Sequence, residues 1–117
     1  MKFAIFLLAD TDSNEGLGRM VNALEATKQF KEAGDEVKLF FDGTGSKWIS
    51  ELNKKEHIAH ELFNSINDKI EGACLFCAKA FGAKESVSEC KIDLIDQKDD
   101  HIDVRKIASD GFSILNF

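Results

Sequence analysis

A chain of 117 residues with 44% hydrophobic and 31% charged side chains has the make-up of one globular domain, expected to occupy residues 1–117. Its net charge of −6, with arginine only at Arg19 and Arg105, leaves no basic surface for reading phosphates, so nucleic acid is not an expected partner. No stretch approaches the roughly 20 apolar residues that span a bilayer, and three cysteines in a chain without an export signal fit a reducing cytoplasm better than a disulfide framework.

In chain order, Lys2 to Ala9 is a continuous apolar run closing at Asp10. It is short for a signal peptide and lacks a small-residue cleavage site, so it reads as a central parallel strand buried on both faces. Asp10 to Gly16 is a polar loop. Leu17, Met20, Val21, Leu24 and Phe30 then recur at helical spacing, predicting an amphipathic helix over 17–33 with Gly34 as its stop. Glu36 to Phe41 is a second strand, closed by Asp42-Gly43-Thr44-Gly45, and Trp48, Ile49 and Leu52 suggest a turn or two of helix. Ile58, Leu62, Phe63, Ile66 and Ile70 predict a helix over 57–70. Gly72 to Cys77 reads as the third strand, and Ala78 to Cys90 as short helical pieces broken at Gly82. Lys91 to Ile95 alternates, as an edge strand would; Gln97 to His101 is a solvated acidic loop, Asp103 to Ser109 a short helix, and Phe112 to Phe117 a last strand. Strands alternating with helices predict an α/β fold, a three-layer α/β/α sandwich around a five-stranded, mainly parallel sheet. In such sheets ligands and reactive groups gather outside the carboxyl ends of the strands.

Cys74 and Cys77 stand at one such end. Two thiols three residues apart can attack each other's disulfide or persulfide, which suits the capture and handover of sulfur, provided the chain turns into helix near Cys74. A following helix and Lys79 are the expected sources of positive charge for a thiolate. The absence of proline removes the cis-proline on which a thioredoxin-like site leans. Competing readings attach to the same residues. Both cysteines could be small buried hydrophobes in a noncatalytic binding or assembly protein. His57 and His60 with Cys74 and Cys77 make a two-histidine, two-cysteine zinc set, although thiols at a strand end and histidines at a helix start fit a finger-like site poorly. Gly16 and Gly18 after the first strand lack the third glycine of a dinucleotide motif, and Asp42–Gly45 is most economically a turn. Cys90 is expected to be structural, His101 a surface residue, and no serine stands in a hydrolase motif.

Three features carry a resemblance to the DsrE/DsrF-like family of small sulfur-relay proteins, which includes the YchN-like proteins. The first strand leads through a polar loop to a long helix. The second ends in Asp42-Gly43-Thr44-Gly45 with Trp48 soon after, and Cys74 is followed at the family's spacing by Gly82. The resemblance implies five parallel strands and assembly into a homo-oligomer, a trimer or hexamer, with cysteines near subunit interfaces. It further implies sulfurtransferase-type carriage: Cys74 accepts sulfane sulfur as a persulfide from a donor protein and passes it to an acceptor, without a cofactor. Cys77 matches a second cysteine present in some branches. Where family members often carry arginine before the glycine, this chain has Ala80-Phe81-Gly82, leaving Lys79 as the nearby cation.

Overall fold

Burial on both faces of the same strands organises the protein. The computed structural model describes residues 1–117. At its centre lie β1 (Lys2–Leu7) and β2 (Glu36–Phe41), paired in parallel along their whole length. Ile5, Leu7, Leu39 and Phe41 enter one core, whereas Ala4, Phe6 and Phe40 enter another on the opposite face. The period of two in a strand thus explains why the apolar runs are continuous rather than alternating. β3 (Ile70–Cys74), β4 (Leu94–Ile95) and β5 (Ser113–Asn116) complete an all-parallel sheet of five strands in the order β4-β3-β2-β1-β5.

Six helices flank the sheet: α1 (Asn14–Glu32), α2 (Trp48–Leu52), α3 (His60–Ser65), α4 (Leu75–Ala80), α5 (Lys84–Glu89) and α6 (Val104–Ser109). The two outer layers are unequal. Residues of α1, α2, α3 and α5 build a core cluster of 18 buried residues on one face, against 7 on the other, where α6 supplies Ile107 and the adjoining segments Ile102 and Phe112. The three-layer α/β/α arrangement expected from the sequence is present, with one thick and one thin helical layer. No helix is long and apolar enough to cross a membrane.

Several boundaries differ from the periodicity. α1 begins at Asn14 because the Ser13 hydroxyl accepts the Gly16 amide at 3.0 Å and caps the helix. The helix expected over 57–70 shrinks to α3, since turns through Lys54, His57 and His60 precede it and β3 already starts at Ile70. The third strand stops at Cys74, so Leu75 to Cys77 is helical rather than extended. β4 pairs over only two residues.

One irregularity decides which way the site faces. Leu39 pairs with Ile70 but Phe40 pairs with Gly72, so Glu71 is an extra residue in β3. Such a bulge shifts the alternation by one position. Ala73 therefore joins the thick-layer core and Cys74 the thin-layer core. Gly72 has φ 154°, and a Cβ there would collide with the Asp93 carbonyl oxygen and the Ile95 side chain. Only glycine lets β4 approach this closely.

Candidate functional site

The sulfurs of Cys74 and Cys77 meet because strand becomes helix between them. Cys74 ends β3 and is the N-cap of α4, with φ −57° and ψ 124°, and Cys77 is the third residue of that helix. N-cap and third-position side chains lie side by side, the relation that capping boxes use. In a continued strand the two would have pointed to opposite faces.

Cys74 is completely enclosed, at 0% exposure, in the core shared by Phe6, Phe40 and Ile107. Its Sγ donates to the Asp100 carbonyl at 3.8 Å and lies 3.7 Å from Nδ1 of His101. Cys77 is half-buried, and its Sγ donates to Asp42 Oδ1 at 3.3 Å. Burial, followed by the hydrogen bonds to Cys74 and to the Asp42 carboxylate, pushes the Cys77 thiol from its ordinary value of 9.0 up to about 12. The Gly43 amide acts in the opposite sense and is outweighed. Asp42 is itself fixed: it caps the 3-10 segment Gly43–Lys47 and accepts the Gly43 amide at 2.9 Å.

His101 reaches the thiols from the loop after β4, the strand beside β3. The Phe76 amide donates to the Asp100 carbonyl at 2.9 Å, tying this loop to the first turn of α4, and the His101 ring packs on Phe76 with centroids 4.5 Å apart. Gln97 and Lys98 amides both donate to the His101 carbonyl at 3.0 Å. Asp99 and Asp100 adopt φ of 51° and 67°, left-handed conformations that the surrounding bonds enforce. The Cys74 and Cys77 sulfurs and a His101 ring nitrogen lie within 4.8 Å of one another.

One sequence expectation needs correcting. Cys74, expected where reactive groups gather outside the strand ends, is sealed, and Cys77 is the more accessible sulfur. The thin helical layer and the 97–101 loop close over Cys74, a tertiary effect that local pattern does not carry. His101 is at the surface as expected, and one of its ring nitrogens is also the third member of the cluster. The signal that could have found it is topological: it follows the carboxyl end of the strand next to the one bearing the thiols. The histidines singled out earlier lie elsewhere. His60 Nδ1 sits 2.7 Å from the Leu52 carbonyl oxygen and the His57 ring stands edge-on to Trp48, so the set His57, His60, Cys74 and Cys77 is not assembled. Lys79 is exposed on α4. Cys90 packs half-buried against the thick-layer core, and burial raises its thiol pKa.

The glycine loops serve packing. A Cβ on Gly16 would run into the Asp10 carbonyl oxygen, and one on Gly45 into that of Leu7. The same corner is held by Trp48 Nε1 donating to the Ala9 carbonyl at 2.8 Å and by a Lys47–Asp10 ion pair at 2.7 Å. An open cleft of about 660 Å³ beside it is lined mainly by polar side chains, among them Thr11, Asp12, Asn14 and His57, and includes none of the three cysteines.

No family model and no solved structure matches the chain. It is similar to an uncharacterized protein of Methanocaldococcus jannaschii, at 27% identity over 116 residues that cover 98% of this chain and 94% of the relative.

Proposed function

We propose that the chain is a carrier of sulfane sulfur of the DsrE/DsrF-like kind, with Cys74 bearing the persulfide and Cys77 assisting. The observation that carries this reading is the convergence of Cys74, Cys77 and His101 at the carboxyl end of β3. Cys74 is the sulfur acceptor that the resemblance implies, and its Sγ lies 3.7 Å from His101 Nδ1, which is placed to take its proton. The Cys74 thiolate attacks the outer sulfur of a donor persulfide. A new sulfur–sulfur bond forms at Cys74, the donor's sulfur–sulfur bond breaks, and the donor leaves as a thiolate that takes up a proton. An acceptor thiolate then attacks the same outer sulfur and releases Cys74. Sulfane sulfur moves without net oxidation, so no cofactor or external oxidant is needed. Because Cys74 is enclosed, transfer requires the 97–101 loop or the start of α4 to move aside.

The partners in this reading are donor and acceptor proteins in the reducing cytoplasm and further copies of the chain. Phe76 at 50% and Phe81 at 46% exposure flank the site on and just beyond α4, and support subunit contacts there in a trimer or hexamer. Sedimentation of the purified chain checks this: a monomer at all concentrations contradicts the assembly.

Incubation with a persulfide donor followed by intact-mass measurement tests the carrier. One added sulfur atom that disappears in Cys74→Ser is the expected result. An adduct retained in Cys74→Ser, or none at all while a control carrier labels, contradicts it. The second reading is a noncatalytic assembly protein whose cysteines are packing, favoured by the complete enclosure of Cys74. Titration of native thiols distinguishes the two: both Cys74 and Cys77 inert until denaturation supports packing.

A further inference from the structure

We infer that Cys74 Sγ, Cys77 Sγ and His101 Nδ1 form a three-ligand site for a thiophilic divalent cation, zinc. The two sulfurs and a His101 ring nitrogen lie within 4.8 Å of one another, and the Cys74 Sγ to His101 Nδ1 separation is 3.7 Å. Zinc–sulfur bonds of about 2.3 Å and zinc–nitrogen bonds of about 2.0 Å at tetrahedral angles put ligand atoms about 3.5–3.8 Å apart. The cluster therefore needs to contract by no more than about 1 Å to close on the ion. Two thiolates and an imidazole are also the soft and borderline donors that select zinc over magnesium or calcium.

Each ligand is held by backbone rather than by chance. Cys74 and Cys77 are fixed by the N-cap geometry of α4, and His101 by the bonded 97–101 loop with its two left-handed aspartates. That strained loop spends its hydrogen bonds on delivering one imidazole to two sulfurs, which a packing role for the cysteines does not require. Asp42 Oδ1, 3.3 Å from Cys77 Sγ, accepts from the thiol in the metal-free protein, and that hydrogen bond is given up when the thiolate binds the ion. On binding, both thiol protons pass to solvent and the two thiolate charges cancel those of the ion, so Cys74 carries no uncompensated charge into its apolar surroundings. Three protein ligands leave one tetrahedral position for water or an incoming ligand. Zinc and a persulfide would compete for the same sulfurs, yet the metal site does not depend on the carrier reading.

Cobalt(II) titration of the reduced, chelator-stripped chain tests the site. The expected result is one equivalent bound with thiolate-to-cobalt charge transfer and the intense visible bands of tetrahedral cobalt, displaced by zinc. In zinc competition against a chromophoric chelator, His101→Asn should weaken binding by about tenfold or more, and Cys90→Ser should change nothing. Circular dichroism checks that each variant is folded. Absence of charge transfer in the folded, reduced protein overturns the site, and so does an unchanged zinc affinity in His101→Asn. Persulfide labelling of the metal-free chain reads the carrier activity separately, so either idea can fail while the other stands.

Discussion

A thiol that donates to a carboxylate holds its proton, and Cys77 donates to Asp42 from a half-buried position. Its pKa of about 12 means that alkylation of Cys77 should keep accelerating with pH well beyond the ordinary thiol value of 9.0. A rate that levels near 9.0 contradicts this environment. Asp42→Asn preserves the cap on Gly43 but removes the negative charge, so Cys77 should alkylate faster at pH 8 than in the parent. The same residue links stability to pH. Above 9.0 the unfolded thiol loses its proton while the folded one retains it until about 12. The folded state then binds more protons, and stability falls as pH rises through that window. Burial raises the Cys90 pKa too, so it adds in the same direction. Denaturant midpoints across this range should decline less in Cys77→Ala than in the parent.

At the scale of elements, the bulge in β3 and the cap of α4 together turn a sequence motif into a site. Gly72→Ala places a side chain at φ 154° against the Asp93 carbonyl. It should destabilise the fold by more than about 1 kcal/mol, measured as a lowered denaturant midpoint at constant slope. An unchanged midpoint contradicts the close approach of β3 and β4. These features also mark where the sequence stops being legible. Alternation of strands and helices, the two-sided burial of β1 and β2, and the placement of Cys74 at the carboxyl end of β3 could all be read from residue pattern. The last residue of β3 could not, because the apolar run Ala73-Cys74-Leu75-Phe76 suits a strand or a buried helix equally. The bulge at Glu71 leaves no periodic trace, and His101 joins the thiols only through the adjacency of β3 and β4 in the sheet.

For the molecule as a whole, the unequal layers predict unequal tolerance. Leu24, fully enclosed between α1 and the sheet, belongs to the 18-residue core, and Leu24→Ala should cost about 2–5 kcal/mol. Ile107 lies in the 7-residue core of the thin layer at 8% exposure, where neighbours can relax toward solvent. Ile107→Ala should therefore cost less than Leu24→Ala in parallel urea titrations, and a larger cost contradicts the layer assignment. The thin layer is also what seals Cys74, so the opening that the proposed sulfur carriage requires belongs to the weaker side of the fold. Isotopically labelled sulfane sulfur, followed in a single turnover from donor persulfide to acceptor thiol, tests the proposed sulfur carriage most directly. Label is expected on Cys74 first and on the acceptor afterwards, with Cys74→Ser abolishing transfer. Label that reaches the acceptor equally fast through Cys74→Ser, or never reaches Cys74, contradicts it.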